Sequence, residues 1–532
     1  MPLNSQLSDF AENLERAIVR CLNLIRPWHV LLLLSALLLL LTGTRNYLAF
    51  GVETDFLGIF IPEAERIAVL NIPEVTWHPP GYAAVLAFFH IFLRDWIVSG
   101  YIVSILSSLV LSWAVYQTFI ISLGRLEALF AMGSVFWCSS LLTHSVSASS
   151  DLLFVALFYS AGAMALLAHK SMRMQNWLLC GALVGFGWLT RANGITLLCL
   201  IAAPLFFGSE VRIRSCICIC LGLLVPIGAW SILAAAGDTS FMPAGNHLNL
   251  AATYFSDNTS GDDLAEMAKR FDGLVDVLLY DPWHLATSYV KDLLANLQTI
   301  LLSGSLISLP MVMLTFPGLV LLAIKGNRAL FWLIVLLILP QLMVVNLKLF
   351  HARYYLFLAP MLAASAAVTI NVMFTHLRQS VPRVLLIGVA GTIGIATISA
   401  TISIATQRIH GGDQQIGSVI GEVDTPRFKS SCAGIVSRKP HVPFYLGCPQ
   451  IYFSPMDNLA ELGGFLYRHS GKGPVYVYFG QDEIARRSDL FSQISSHASL
   501  EWLEAFASGS GNGNVWILYE FSRHAYVEQR AD

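Results

Sequence analysis

Between Arg45 and Tyr82 the chain gathers Glu53, Asp55, Glu63, Glu65, Glu74 and His78, directly after an apolar run. Carboxylates so placed can take or give a proton, and an imidazole can bind or relay one. Acidic side chains this close to a bilayer are costly to hold unless they serve a function. The stretch is therefore the expected reaction or substrate site. Asp55 can alternatively cap a turn beside Gly51 or Gly58, and Glu53 can be a second reacting carboxylate or a solvated one. His78 stands before Pro79 and Pro80, which restrict its backbone and help fix where its ring points. It can contact a substrate or simply hydrogen-bond the loop.

Composition says what must position these groups. The chain has 532 residues, of which 55% are hydrophobic and only 12% charged, against about 25% charged in soluble domains. This is the composition of an α-helical polytopic membrane protein. A net charge of -2 with scattered basic residues argues against a nucleic-acid partner. Arg16, Arg20 and Arg26 precede the first apolar run and no small-residue cleavage site follows, so the first span is expected to stay uncleaved.

Runs able to cross a bilayer, ideally about 20 residues each, fall at 28–43, 97–121, 127–145, 151–169, 177–192, 194–208, 215–236, 304–324, 329–347, 354–374 and 384–405. That gives about eleven spans with a cytoplasmic N-terminus. Arg125, Lys170 with Arg173, Arg212 with Arg214, Lys325 with Arg328, and Arg378 with Arg383 then all lie in inner turns. On this reading residues 1–405 are a membrane domain whose first outer loop is 43–96. Tyr82–Leu93 is apolar but short, and Arg94 and Asp95 follow it, so a helix lying at the outer interface is expected there.

The loop 237–303 reads as two amphipathic helices, over about 261–280 after a capping-box pattern at Ser260–Asp263, and after Asp281 and Pro282. Asn258-Thr259-Ser260 matches a glycosylation acceptor, a pattern common by chance. Beyond Thr406 charged, Gly and Pro residues return, and Val475–Phe479 and Val515–Tyr519 alternate like strands around helical stretches at 456–467 and 482–491. Residues 406–532 are thus expected to form a small extracytoplasmic α/β domain. The glycine-rich Ser508–Gly513 precedes a strand, so it reads as a turn, whereas a nucleotide-binding fingerprint follows a strand and opens a helix.

Cys216, Cys218 and Cys220 spread around a helix and read as packing residues. Cys432 and Cys448 both fall in the C-terminal domain and can form a disulfide or remain buried thiols. No cluster has convincing metal-ligand spacing, and no cofactor is implied.

Several short motifs together resemble a family. Glu53-x-Asp55, Pro62-Glu63-Ala64-Glu65-Arg66 and His78-Pro79-Pro80-Gly81-Tyr82 are similar to the first outer loop of the polyprenyl-phosphate-sugar-dependent membrane glycosyltransferases of the GT-C class. That group includes the protein O-mannosyltransferases and the aminoarabinose transferases acting on lipid A. The resemblance continues in Ser150-Asp151-Leu152-Leu153-Phe154, in Leu189-Thr190-Arg191-Ala192-Asn193-Gly194, and in His351-Ala352-Arg353-Tyr354-Tyr355 with Pro360. It covers the chain to about residue 405 and, more weakly, the tail.

The resemblance implies sugar transfer from a polyprenyl-phosphate donor to an acceptor hydroxyl on a lipid, glycan or protein, at the outer face of a membrane, most simply a bacterial inner membrane. Such a transfer needs a base for the acceptor proton, for which Asp55 is the candidate. It also needs cations for the departing phosphate. Arg191 and Arg353 at outer ends of spans are the first candidates and Lys348 and His351 the next, although an arginine there can also merely snorkel. Glu53 and His78 are candidate substrate contacts. Asp151 reads as a helix cap with Ser149 or Ser150. From another class, a multi-span transporter or lipid flippase would place the same charges along a path, yet no internal repeat is evident.

Overall fold

A computed structural model describes residues 24–44, 52–73, 78–208, 212–243, 245–256, 263–302, 304, 306–325, 328–347, 351–377, 383–410, 414–423, 428, 431–453, 458–496, 500–511 and 514–531. Glu74, Lys348, the Asn258–Ser260 triplet and the start of the expected capping box lie outside them. Contacts divide the chain into two units, Met1–Thr44 with Glu63–Gln407, and Arg45–Pro62 with Arg408–Asp532.

The first unit is helical. Among the described residues five helices are long and apolar enough to cross a membrane: Trp96–Ile120, Asp151–Ser171, Arg212–Ala236, Arg328–Val345 and Ala352–His376. Shorter apolar helices run over Pro27–Gly43, Gly81–Leu93, Ala192–Phe207 and Leu309–Ile324. Helices Met174–Thr190 and Arg212–Ala236 cross backbone to backbone. A Cβ on Gly181 would lie 2.0 Å from the Ile219 carbonyl oxygen, and one on Gly222 would lie 1.9 Å from that of Leu178. Small residues allow such close crossings where apolar surface alone gives helices little reason to associate.

Three expected spans are not simple helices. The run 127–145 is broken into Arg125–Met132, Ser134–Trp137 and Ser139–Ser145. Gly133 stands at the first break, and at the second Cys138 is extended with its Sγ accepting from the Leu141 amide at 3.3 Å. The runs beginning at Ala192 and Ala352 open as 3-10 turns, Ala192–Ala202 and Ala352–Leu358, before continuing as α-helix. In the 237–303 segment the expected helix is split into Asp263–Arg270 and Leu274–Tyr280 with Gly273 before the second piece, and Pro282–Leu302 follows as one helix.

The second unit is built on a five-stranded sheet: β1 (Gly434–Ser437), β2 (Gln450–Tyr452), β3 (Val475–Phe479), β4 (Leu503–Gly511) and β5 (Asn514–Phe521). The order is β2-β1-β3-β5-β4, parallel on the β1 side and antiparallel on the β5 side. β3 is buried along its whole length, as a central strand should be. Ser508–Gly511, expected in a turn, instead complete β4, and Gly509 pairs with Trp516 of β5. Helices Leu459–His469 and Ser488–Ser496 pack on the sheet, and Cys432 and Cys448 are joined by a disulfide.

Residues 45–62 are also part of this unit, whereas the sequence reading joins them to the membrane domain. The buried His441 donates through Nε2 to the carbonyl oxygen of Val52. Val52, Phe56, Leu57 and Phe60 are themselves buried. A Cβ on Gly58 would also lie 3.3 Å from the Pro440 ring.

Candidate functional site

Asp55 precedes a π-helical turn, Phe56–Phe60, which runs on into the α-helix Ile61–Ala68. Single π turns inside helices are uncommon and recur at functional sites. The Asp55 side chain is half-buried and makes no capping bond to the turn it precedes. That weakens the turn-capping alternative. The neighbouring Glu53 is also half-buried, and its carbonyl oxygen accepts from the amides of Phe56 and Leu57.

In the helical unit, four of the quoted motifs come together. Gly81 begins the helix Gly81–Leu93 with its Cα against the end of Met174–Thr190, where an added Cβ would sit 2.6 Å from the Leu189 carbonyl oxygen. Only glycine fits there, so Gly81, which ends the segment His78-Pro79-Pro80-Gly81, packs against the backbone of Leu189 and Thr190, the two residues before Arg191. His78 itself is half-buried. The next residue, Tyr82, is fully buried and close enough to feel the Asp151 carboxylate.

Arg191 donates from one guanidinium nitrogen to Asp151 Oδ1 at 2.5 Å and to Ser150 Oγ at 3.0 Å. The two charged side chains are only 13% and 4% exposed. Asp151 is the first residue of its helix, but Ser150 makes no side-chain cap and Asp151 serves as the partner of Arg191. The expected capping role is thus replaced by an ion pair. The other oxygen of Asp151 is buried with no hydrogen-bond partner among the described residues.

The Arg191 guanidinium also lies 5.6 Å from the centre of the Tyr354 ring, and that of Arg353 lies 5.1 Å from it. Arg353 further donates to the Tyr354 hydroxyl at 3.4 Å. His351 meets the same ring edge-on at 5.7 Å. One aromatic ring therefore gathers Arg191, Arg353 and His351. A guanidinium over a ring keeps its in-plane N–H groups free to point elsewhere, while the ring face offsets part of its charge. Two such groups at one place can hold a phosphate through paired hydrogen bonds. The sequence reading quoted Tyr354 within a motif without giving it a part; the signal was an aromatic residue adjoining a cation.

A further carboxylate stands out. Glu63 is 6% exposed, and neither oxygen has a partner among the described residues. Burial pushes its pKa up to about 8, against the opposing pull of Arg66 one turn on. Among the described residues no group of three or more His, Cys, Asp or Glu side chains could hold a metal ion.

A family model described as dolichyl-phosphate-mannose-protein mannosyltransferase matches residues 77–232, which include His78, Gly81, Asp151 and Arg191. No curated protein matches the chain in sequence. Among solved structures, ArnT from Cupriavidus metallidurans bound to undecaprenyl phosphate superposes with a TM-score of 0.57 at 13% identity, covering 92% of this chain and 97% of that one. The archaeal oligosaccharyltransferase AglB from Archaeoglobus fulgidus, in complex with an inhibitory peptide and a dolichol-phosphate, gives 0.55 at 11% identity, covering 94% and 74%. At these identities the likeness is one of fold. Over residues 77–232 the chain thus carries the pattern of the mannosyltransferase family model, and along nearly its whole length it is similar in fold to ArnT and AglB.

Proposed function

We propose that this protein moves a sugar from a polyprenyl-phosphate donor to an acceptor hydroxyl with inversion at the anomeric carbon. Asp55 takes the acceptor proton, the freed oxygen attacks the anomeric carbon, and the bond to the lipid phosphate breaks with its electron pair leaving on the phosphate. Arg353 and Arg191 receive that anion, His351 and Lys348 are further candidates for holding it, and Glu53 and His78 contact substrate. The observation that supports this reading is the meeting of Arg191 and Arg353 at the Tyr354 ring, next to the seat of the His78 segment. Undecaprenyl phosphate on ArnT and dolichol-phosphate on AglB are ligands of the same chemistry. About eleven spans up to residue 405 would place the first loop and residues 406–532 on the extracytoplasmic side, where the C-terminal domain helps bind the acceptor, a lipid, glycan or protein.

The test is transfer by the purified chain from a panel of radiolabelled polyprenyl-phosphate sugars, with Asp55→Asn beside the native protein. The substitution is expected to slow transfer by roughly 10²- to 10⁴-fold, the usual contribution of a positioned base. Transfer that survives unchanged would remove Asp55 from the reaction. Solute uptake into vesicles without sugar transfer would replace the enzyme by a transporter.

A further inference from the structure

Arg353 and Tyr354 lie in the 3-10 turn Ala352–Leu358, and something must set the rotation of that turn for both side chains to meet Arg191. The next residue, Tyr355, is buried, and its hydroxyl donates to Asn346 Oδ1 at 3.3 Å. Asn346 follows the helix Arg328–Val345 and is 1% exposed. Its Oδ1 also accepts from Asn296 Nδ2 at 2.8 Å, and its Nδ2 donates to the Tyr289 carbonyl oxygen at 3.2 Å. Its own carbonyl oxygen accepts from the Tyr254 hydroxyl at 3.0 Å. One buried residue thus ties the 3-10 turn to the helix Pro282–Leu302 through its side-chain amide and to Asn246–Phe255 through its main-chain carbonyl.

A 3-10 turn has three residues per turn, so neighbouring side chains project about 120° apart. Pinning Tyr355 therefore fixes the directions of Tyr354 and Arg353. A buried amide with its hydrogen-bonding groups satisfied holds one arrangement, because any rotation strands a polar group in a low-dielectric interior. We propose that Asn346 is a positioning residue for Arg353: through Tyr355 it sets the 3-10 turn so that the Arg353 guanidinium is presented to the lipid phosphate of the donor. The inference rests on the proposed role of Arg353, and it couples the 246–302 helices to phosphate binding.

The test uses the full-length protein in detergent and measures binding of a short-chain polyprenyl phosphate, together with KM and kcat for transfer. Asn346→Ala is expected to weaken binding roughly tenfold, the loss of about one buried hydrogen bond. The effect should fall on KM more than on kcat. Tyr355→Phe, which removes one hydroxyl and keeps the ring, should shift KM in the same direction by less and keeps the test open if Asn346→Ala fails to fold. In an Arg353→Ala background either change should add at most about twofold, because a residue acting through Arg353 has nothing left to position. Losses that multiply in the double variants, or native binding by both single variants, would overturn the positioning role while leaving Arg353 in place. Native binding by Arg353→Ala would remove the phosphate role of Arg353 and this inference with it.

Discussion

Arg191 and Arg353 present their guanidinium groups to a single ring, that of Tyr354, at 5.6 and 5.1 Å from its centre. Arginines that only snorkel reach for water and have no reason to meet. Here the ring gathers two cations that would otherwise repel, and the Asp151 carboxylate neutralises one of them. On the proposed function, the guest of these two guanidinium groups is the lipid phosphate of the donor.

Arg353→Ala and Arg191→Ala are each expected to raise the KM for a polyprenyl-phosphate sugar roughly 10- to 100-fold, the size of a lost hydrogen bond to a charged group. Arg353→Lys should recover little, since an ammonium neither forks nor stacks as a guanidinium does. Full recovery by lysine in steady-state kinetics would reduce Arg353 to an interfacial anchor.

Asp151→Ala leaves a largely buried arginine uncompensated and should cost about 3 kcal/mol or more of stability. A cap lost at the same position would cost about 1 kcal/mol. Thermal unfolding in detergent separates the two, and the smaller loss would mean that the ion pair contributes little.

Glu63 predicts a pH dependence. Its carboxyl is raised from 4.5 to about 8 by burial, partly opposed by Arg66. Between these values the folded chain keeps a proton that the unfolded chain has released. Stability should therefore fall as pH rises from about 4.5 to about 8, then level off. Glu63→Gln, uncharged at every pH, should melt above the native protein at pH 8 and close to it at pH 4.5. An unchanged slope in scanning fluorimetry would refute this account.

The Cys432–Cys448 disulfide closes a loop of sequence separation 16 that includes β1. Replacing both cysteines by serine should lower the stability of that region by about 3 kcal/mol. Hydrogen exchange of the β1 amides, Gly434–Ser437, in the full chain would read the change, and equal protection in both proteins would show that the bridge is dispensable.

Much of the first unit was legible in the chain. Long apolar runs made the helices Trp96–Ile120, Asp151–Ser171 and Arg212–Ala236 readable, because a twenty-residue apolar stretch has few other ways to satisfy its backbone in lipid. Alternation gave β3 and most of β5. The breaks at Gly133 and Cys138 were not legible, since a hydrophobic run looks the same whether or not its helix is interrupted. Ser508–Gly511 was misread because its glycines suit a turn equally well, and only the pairing with β5 makes them strand.

For the site, sequence alone supplied residue types: a carboxylate-rich loop, cations at span ends and six short motifs. Those follow from local composition, which lipid constrains strongly. Which groups meet was decided by tertiary structure, through contacts between residues far apart in the chain. The bond from His441 to Val52 joins the Asp55 segment to the C-terminal unit. Asp151 becomes an ion-pair partner, and Tyr354 becomes the ring where Arg191 and Arg353 converge, because helix crossings at glycines and one buried amide fix those elements.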